Sequence, residues 1–192
     1  MGASVVYLVT KNAGKVREVE AVLNKYGFSV SPIEARKEEL QSDLLEHVAK
    51  YAAEQLIGKI PEPFIVEDSG LFINILNGFP GPYSAYVYKT IGTWGILKLM
   101  EGAVDRGAKF VCAVALCLNG RVHVFRGEVE GEISIRARGD AGFGFDPIFV
   151  PFGYSKTFAE MSIEEKCMIS HRAKALQLMV NYLIQVYGVK NV

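Results

Sequence analysis

The chain of 192 residues has no excess of charge of either sign, since 21 lysines and arginines balance 21 aspartates and glutamates. A protein that holds a long nucleic-acid backbone usually carries a basic surplus, so this balance argues against a polyanionic partner but leaves room for a small anionic ligand. No apolar run approaches the roughly 20 residues of a membrane-spanning helix, and no charged-then-apolar leader starts the sequence. We therefore expect a soluble protein with neither a membrane nor a nucleic-acid partner.

Cysteine is also scarce. Cys112, Cys117 and Cys167 are odd in number, and their spacing provides neither a disulfide framework nor a metal site. Cys112 and Cys117 lie inside an apolar segment, where packing in the core is the expected role. This cysteine usage fits a reducing compartment best, and we expect a cytoplasmic protein.

Half of the residues are hydrophobic, which is enough for a substantial core in one domain. Apolar runs predict strands at residues 5–9, 28–33, 64–66, 110–118 and 121–129, with a hairpin turn at Asn119-Gly120. Helices are predicted from Lys15 to about Tyr26, from a capping box at Asp43 and Glu46 to about Ile57, from Thr93 to Met100, and from Ser170 onward. This alternation predicts an α/β fold with a mixed sheet.

The segment Thr10-Lys11-Asn12-Ala13-Gly14-Lys15 joins the first predicted strand to the first helix. A polar turn at a helix N-terminus presents unpaired backbone N–H groups, which attract anions. Lys15 adds a positive charge, so the segment suggests a phosphate-binding turn. The alternative is a capped helix start, because neither the P-loop nor the dinucleotide-fold spacing is present.

Carboxylates follow the strand at 64–66, in the sequence Glu67-Asp68-Ser69-Gly70. At the end of a strand they are well placed to hold Mg²⁺ or to orient water. The alternative is a turn in which Asp68 and Ser69 bond to nearby backbone N–H groups. Glu38 and Glu39 belong to the same site only if the fold brings them to Asp68.

Two further segments carry polar or aromatic groups that suit a nucleotide. In residues 139–147, glycines allow close approach of a ligand, Phe143 and Phe145 can stack on a base, and Asp146 can accept hydrogen bonds. The alternative is a tight corner with at least one phenylalanine in the core. Near the last helix, Ser170 is a plausible N-cap, and His171 and Arg172 are cations where the helix dipole prefers anions. A ligand would explain them; the alternative is two exposed cations.

Six segments resemble, in order, those of the inosine triphosphate pyrophosphatase family, which removes non-canonical purine nucleotides. They are residues 10–15, Val66-Glu67-Asp68-Ser69-Gly70, Phe79-Pro80-Gly81-Pro82-Tyr83-Ser84, Phe143-Gly144-Phe145-Asp146-Pro147, Ala159-Glu160-Met161 and Ser170-His171-Arg172. Each segment alone is unspecific, whereas six in order along the chain are specific.

The resemblance implies a single pyrophosphatase domain over residues 1–192, with an elongated mixed β-sheet flanked by helices and an active-site cleft between two lobes. It implies a homodimer that uses Mg²⁺ to hydrolyse ITP, dITP and XTP to the monophosphate and pyrophosphate. Such an enzyme cleanses the nucleotide pool and prevents misincorporation into DNA and RNA.

The resemblance also implies roles for individual residues. Asp68 is the expected catalytic base and a metal ligand together with Glu39, and Ser69 contacts substrate. Thr10, Lys11, Asn12, Ala13, Gly14 and Lys15 are expected to hold the triphosphate, and Phe143, Gly144, Phe145, Asp146, Lys166, His171 and Arg172 to surround the base and sugar. Some relatives carry a lysine directly after the Pro-Gly-x-Tyr turn, where this chain has Ser84-Ala85, and Lys89 is a nearby candidate to replace it.

Two other functions remain compatible with these residues. A pyrophosphatase for modified pyrimidine nucleotides shares the phosphate and metal groups but differs around the base. A non-catalytic nucleotide-binding module uses the same carboxylates only for structure. Turnover of nucleoside triphosphates with Mg²⁺ separates the module from both enzymes, and the choice of base separates the enzymes from each other.

Overall fold

The computed structural model describes residues 4–38 and 40–187. Over these residues, seven strands form one sheet: β1 (Ser4–Val9), β2 (Phe28–Ile33), β3 (Phe64–Ile73), β4 (Pro80–Gly81), β5 (Gly107–Leu118), β6 (Arg121–Ile133) and β7 (Phe149–Pro151). The α-helices are α1 (Ala13–Leu23), α2 (Leu45–Glu54), α3 (Ser84–Thr90), α4 (Gly92–Leu99), α5 (Ile163–Ile169) and α6 (His171–Tyr187). Short 3-10 helices occur at Asn24–Tyr26, Asn74–Leu76, Asp146–Ile148 and Phe158–Glu160. Within the described ranges, every helix is too short or too polar to cross a membrane.

The sheet is mixed and open, as the sequence predicts. Its strand order is β2-β1-β3-β5-β6-β7, and β4 pairs with the end of β3. β1 runs parallel to β2 and β3, whereas β5, β6 and β7 continue the sheet in antiparallel pairs. The predicted turn at Asn119 and Gly120 joins β5 to β6, and both residues have the positive φ that a tight hairpin turn needs.

The central strand β5 is buried on both faces of the sheet. Cys112 and Val114 pack in one core cluster with residues of α1 and α6. Ala113 and Ala115, whose side chains alternate with those, pack in a second cluster with residues of α2. An almost continuous apolar segment is therefore required here, because helices cover both faces.

The molecule has two lobes that share this sheet. A third core cluster lies toward the start of β5 and the end of β6, where Phe110 and Phe149 pack near α3 and α4. β5 and β6 are 12 and 13 residues long, so they extend from the first two clusters into the third. The elongated sheet with a cleft between two lobes is confirmed.

The predicted capping box of the second helix is wrong. α2 begins at Leu45, and its N-cap residue Leu44 makes no side-chain cap bond. Glu46 instead forms a salt bridge of 3.0 Å with Arg126 on β6, so a contact between elements uses the side chain that was expected to cap the helix. α2 also ends at Glu54, before the predicted Ile57.

Candidate active site

A cavity of about 330 Å³ opens in the cleft, and most of the site residues predicted from the sequence line it. Its walls contain Asn12, Lys15, Asp68, Ser69, Ser84, Ala85, Tyr88, Lys89, Phe110, Phe143, Gly144, Phe145, Asp146, Lys166, His171 and Arg172. These residues come from α1, β3, α3, β5, the loop before β7, α5 and α6. One cavity therefore joins segments from nearly the whole length of the chain.

The sheet itself creates the opening beside β3. On that edge, β1 pairs with Phe64 and Ile65, and β4 pairs with Leu71 and Phe72. The residues between them, 66–70, pair on the opposite edge with β5. The predicted end of the strand at Val66 and the alternative of a turn at Asp68 and Ser69 are thus both wrong, because long-range pairing with β5 continues the strand through these polar residues.

Gly70 has a packing role in this arrangement. A Cβ atom there would overlap the backbone carbonyl of Gly81 on β4. Nearby, the Ser84 hydroxyl accepts a hydrogen bond of 2.8 Å from the Leu71 N–H and donates one of 2.7 Å to the Gly81 carbonyl. Ser84 therefore fixes the start of α3 against β3 and β4, which explains the helix that the sequence analysis does not predict.

The turn before α1 is a capped helix start that also delivers one lysine to the cavity. The Asn12 side chain accepts hydrogen bonds of 2.8 Å from the Gly14 N–H and 3.2 Å from the Lys15 N–H. Thr10, Lys11 and Ala13 line a separate depression, in which Lys11 forms an exposed salt bridge of 3.1 Å with Glu34. Of the six residues predicted to hold the triphosphate, the structure brings Asn12 and Lys15 into the cavity.

Glu67 is a fully ion-paired carboxylate behind the cavity wall. Lys15 Nζ lies 2.7 Å from one of its oxygens, and Arg172 Nη2 lies 3.4 Å from the other. The Cys112 thiol donates to it at 3.3 Å. Burial alone would raise the pKa of Glu67, but the charges of Arg172 and Lys15 outweigh it and hold the pKa well below its usual range. Glu67 is therefore ionised and occupied by protein partners.

Glu18 forms salt bridges with two cations of the site, Lys166 and Arg172, and was not predicted from the sequence. Its carboxylate forms salt bridges with Arg172 and, at 2.6 Å, with Lys166, which also lies 2.6 Å from Asp146. Burial raises the pKa of Glu18, but Arg172 and Lys166 lower it further than burial raises it. One signal was present in the sequence, since Glu18 lies four residues from both Gly14 and Val22 on the buried face of α1.

Asp68 has a different environment from its neighbour. It is half-buried in the cavity wall. Burial raises its pKa, and this effect exceeds the opposing influence of the Lys15 charge. A carboxyl group with a raised pKa that faces a cavity suits proton transfer or binding of a cation.

The donor set around Asp68 fits Mg²⁺ only together with a substrate. Within residues 4–38 and 40–187, no three histidine, cysteine or carboxylate side chains form a metal-binding group. Mg²⁺ in phosphate-transfer sites usually binds to one or two carboxylates plus substrate phosphates, so a single available carboxylate is compatible with it. Glu39, the predicted second ligand, lies outside the described residues.

Phe143 forms the wall nearest to the cations. Its ring centroid lies 5.2 Å from Lys166 Nζ and 5.3 Å from the Arg172 guanidinium carbon. The ring also packs on Gly14, where any Cβ atom would overlap it. The Asp146 carboxylate accepts a hydrogen bond of 2.8 Å from the Phe143 N–H and so fixes the loop.

Phe145 belongs to the core, as the alternative interpretation allowed for one of the two rings. It is 3% exposed and meets Tyr88 edge to face, with ring centroids 5.4 Å apart. Asp146 is also buried, and burial raises its pKa above the ordinary value despite the nearby Lys166 charge. Phe143 thus remains the aromatic side chain of this loop that is available to a ligand.

At the start of α6, two buried side-chain atoms have no hydrogen-bond partner within the described residues. The Ser170 hydroxyl accepts a hydrogen bond from the Ala173 N–H, which confirms the predicted cap. His171 stacks on Phe110 at an interplanar angle of 10°, and its Nδ1 is buried with no hydrogen bond in the described structure. The Arg172 Nε atom is also buried with no hydrogen bond in the described structure. Buried polar atoms are hydrogen-bonded in most proteins, so these two atoms are candidates for hydrogen bonds to a ligand.

His171 is not a cation in the structure, and Arg172 is a cation that is not exposed. Burial lowers the pKa of His171 well below its usual value, and the charges of Arg172 and Lys166 lower it further, so the imidazole is neutral. Arg172 is a cation but is 1% exposed, and Glu18 and Glu67 neutralise it. Protein carboxylates, rather than a ligand, explain a positive charge in this first turn.

Comparison with known proteins agrees with this arrangement. The Ham1 family model matches residues 6–182. A dITP/XTP pyrophosphatase of Ignicoccus hospitalis is 52% identical over 180 residues, which cover 93% of this chain and 96% of that protein. One of Pyrococcus horikoshii is 50% identical over 178 residues, covering 93% and 96%.

A solved structure has the same fold. The Staphylococcus aureus Ham1 protein superimposes with a TM-score of 0.79 at 31% identity, covering 94% of this chain and 98% of that chain. The agreement in sequence extends over nearly the full length of each relative, and the fold agrees as well. This chain belongs to the Ham1 family.

Proposed function

We propose that this Ham1-family enzyme hydrolyses the non-canonical purine nucleotides ITP, dITP and XTP to the monophosphate and pyrophosphate, with Mg²⁺ as cofactor. One observation carries the proposal: a single cavity has Lys15 and Asp68 among its walls together with Phe143, His171 and Arg172, and the last two residues each have one buried polar atom without a hydrogen bond. The names of the two archaeal relatives, dITP/XTP pyrophosphatase, support the same substrates.

The phosphate chain lies beside α1 and β3. Lys15 donates hydrogen bonds to phosphate oxygens. Its salt bridge with Glu67 raises the pKa of Lys15, so the side chain stays charged although it is buried. Asp68, with Glu39 as the second carboxylate, would hold Mg²⁺, which when bound neutralises phosphate oxygens and polarises the α-phosphorus. The Asp68 carboxylate accepts the proton of the attacking water.

The purine base lies against Phe143 at the other end of the cavity. We propose that a 6-keto oxygen accepts hydrogen bonds from these two side chains, His171 and Arg172, with the neutral His171 carrying its proton on Nδ1. The His171 Nδ1 and the Arg172 Nε are buried and have no hydrogen bond within the described residues. Adenine presents a 6-amino donor at this position and would leave these buried donors unpaired, an expensive outcome. Hypoxanthine and xanthine share the 6-keto group and differ at position 2, so both are accepted. Guanine has the same 6-keto group and a 2-amino substituent, so slow turnover of GTP must come from a contact at position 2 rather than from His171 or Arg172.

Pyrophosphate release from a nucleotide panel tests the proposal. We expect rapid release from ITP, dITP and XTP, and much slower release from ATP and GTP. Faster turnover of methylated pyrimidine triphosphates would favour the pyrimidine enzyme instead. Binding of ITP without turnover in the presence of Mg²⁺ would favour the non-catalytic module, and orthophosphate as the primary product would contradict the proposed cleavage site.

We further propose that the enzyme is a cytoplasmic homodimer that keeps the nucleotide pool free of deaminated purines. The dimer rests on the family resemblance, and the location rests on the three unpaired cysteines. Light scattering coupled to gel filtration tests the dimer, and a mass of one chain would contradict it. Fractionation of the source cells tests the location.

A further inference from the structure

Most cations in the cavity wall are neutralised by protein carboxylates. Lys15 is paired with Glu67, and Arg172 with Glu67 and Glu18. Lys166 is paired with Glu18 and Asp146. Three positive charges therefore face three negative charges inside this network, and it offers a polyanionic ligand no net positive charge.

Lys89 is different from these three cations. It lines the same cavity from α3, its side chain is exposed, and it makes no salt bridge with any residue in the described ranges. Ala85, one helical turn earlier, lies on the same face of α3 and also lines the cavity. The small side chain of Ala85 leaves space beside the long, flexible lysine.

We propose that Lys89 binds the terminal phosphates of the substrate, the part that leaves as pyrophosphate. This inference rests on the proposed function. A triphosphate brings several negative charges into a cavity whose other cations are already paired. Lys89 lines the cavity with a solvent-exposed side chain, whereas His171 and Arg172, proposed to contact the base, line it as buried residues. The terminal phosphates lie farthest from the base, so they extend toward Lys89.

Inhibition by the two reaction products tests the proposal directly. Lys89→Met should weaken inhibition by pyrophosphate about 10-fold, on the scale of one charge-assisted hydrogen bond, and raise the KM for ITP. Inhibition by inosine monophosphate, which lacks the terminal phosphates, should stay unchanged. Lys89→Arg keeps the charge and should retain most of the pyrophosphate inhibition. A purely structural role would alter inhibition by both products alike.

Lys98→Met is the matched control, because Lys98 is an exposed lysine on the neighbouring helix α4, outside this cavity. Equal pyrophosphate inhibition of Lys89→Met and the parent would overturn the proposal, as would an equal loss of inhibition by both products. The proposed function fails separately, if the parent releases no pyrophosphate from any nucleotide. Calorimetric binding of pyrophosphate to the parent and Lys89→Met would then still decide the role of Lys89.

Discussion

Glu67 and Asp68 are consecutive residues of β3, and their carboxyl groups have pKa shifts in opposite directions. Burial raises the pKa of both. Only at Glu67 do Arg172 and Lys15 together reverse the effect, because this side chain is directly paired with them. Strand alternation sends neighbouring side chains to opposite faces, which lets one backbone segment hold a structural carboxylate beside a reactive one.

Asp68→Asn should abolish most turnover while the protein stays folded. The amide has the same size as the carboxylate but carries no charge for Mg²⁺ and cannot accept the proton of water. Pyrophosphate release from ITP and thermal unfolding measure the two effects. Asp43→Asn, at an exposed position outside the cavity, is the control. Near-normal activity of Asp68→Asn at saturating Mg²⁺ would remove this residue from the mechanism.

Glu67→Gln should lower the free energy of unfolding by about 3–5 kcal/mol, the cost of breaking a buried ion pair from one side. The change leaves Lys15 and Arg172 with less compensation for their burial. Glu128→Gln removes a carboxylate from an exposed cluster with Lys109 and Arg126 and should cost about 1 kcal/mol or less. Urea unfolding of both variants provides the comparison, and equal losses would contradict the structural role of Glu67.

The stability that Glu67 contributes should disappear in acid. Its folded-state pKa lies below the ordinary value of 4.5, so below that pH the unfolded chain binds the proton more readily than the folded one. The contribution is complete above the ordinary pKa and is lost as the pH falls through the folded-state value. Asp68 and Asp146, with raised pKa values, change in the opposite sense, so the test is the difference between parent and Glu67→Gln.

Urea unfolding of both proteins between about pH 7 and pH 3 measures this difference, which should shrink toward the acid end. Glu18 has the same direction of pKa shift, and Glu18→Gln should behave alike. A difference that stays constant, or grows as the pH falls, would contradict the ion-paired state of these carboxylates.

The sequence predicted which residues line the cavity better than it predicted the salt bridges between them. Asp68 and Phe143 could be nominated from local residue types, and both line the cavity. Glu18 could not be matched to its partners, because Lys166 and Arg172 lie 148 and 154 residues away along the chain. The continuation of β3 through Glu67 could not be predicted either, because pairing with β5, rather than strand propensity, holds these polar residues in the strand.

Gly14→Ala should weaken nucleotide binding although alanine favours helix formation over glycine. The added Cβ atom overlaps the Phe143 ring and must displace it from the cavity wall. Loss of base stacking on an aromatic ring should raise the KM for ITP by on the order of 10-fold. In a Phe143→Ala background the same change should have little further effect, because the ring is gone. Additive effects of the two changes would show that the contact does not carry the loss.

The choice of base should depend on His171. Arg172→Ala cannot test this cleanly, because it would uncover the buried Glu18 and Glu67 carboxylates. His171→Phe keeps the stacking on Phe110 but removes the Nδ1 donor, so the advantage of ITP over ATP in kcat/KM should fall by on the order of 10-fold, the effect of one buried hydrogen bond.

His171→Asn is the companion variant, since its amide nitrogen can occupy nearly the position of Nδ1 and should restore part of the preference. The decisive quantity is the ratio of kcat/KM for the two nucleotides, because a general loss of packing slows both and leaves the ratio unchanged. An unchanged ratio in His171→Phe would therefore exclude His171 from base discrimination even if total activity fell. The orphaned Nε of Arg172 would then be the remaining buried donor for the 6-keto oxygen in the described part of the site.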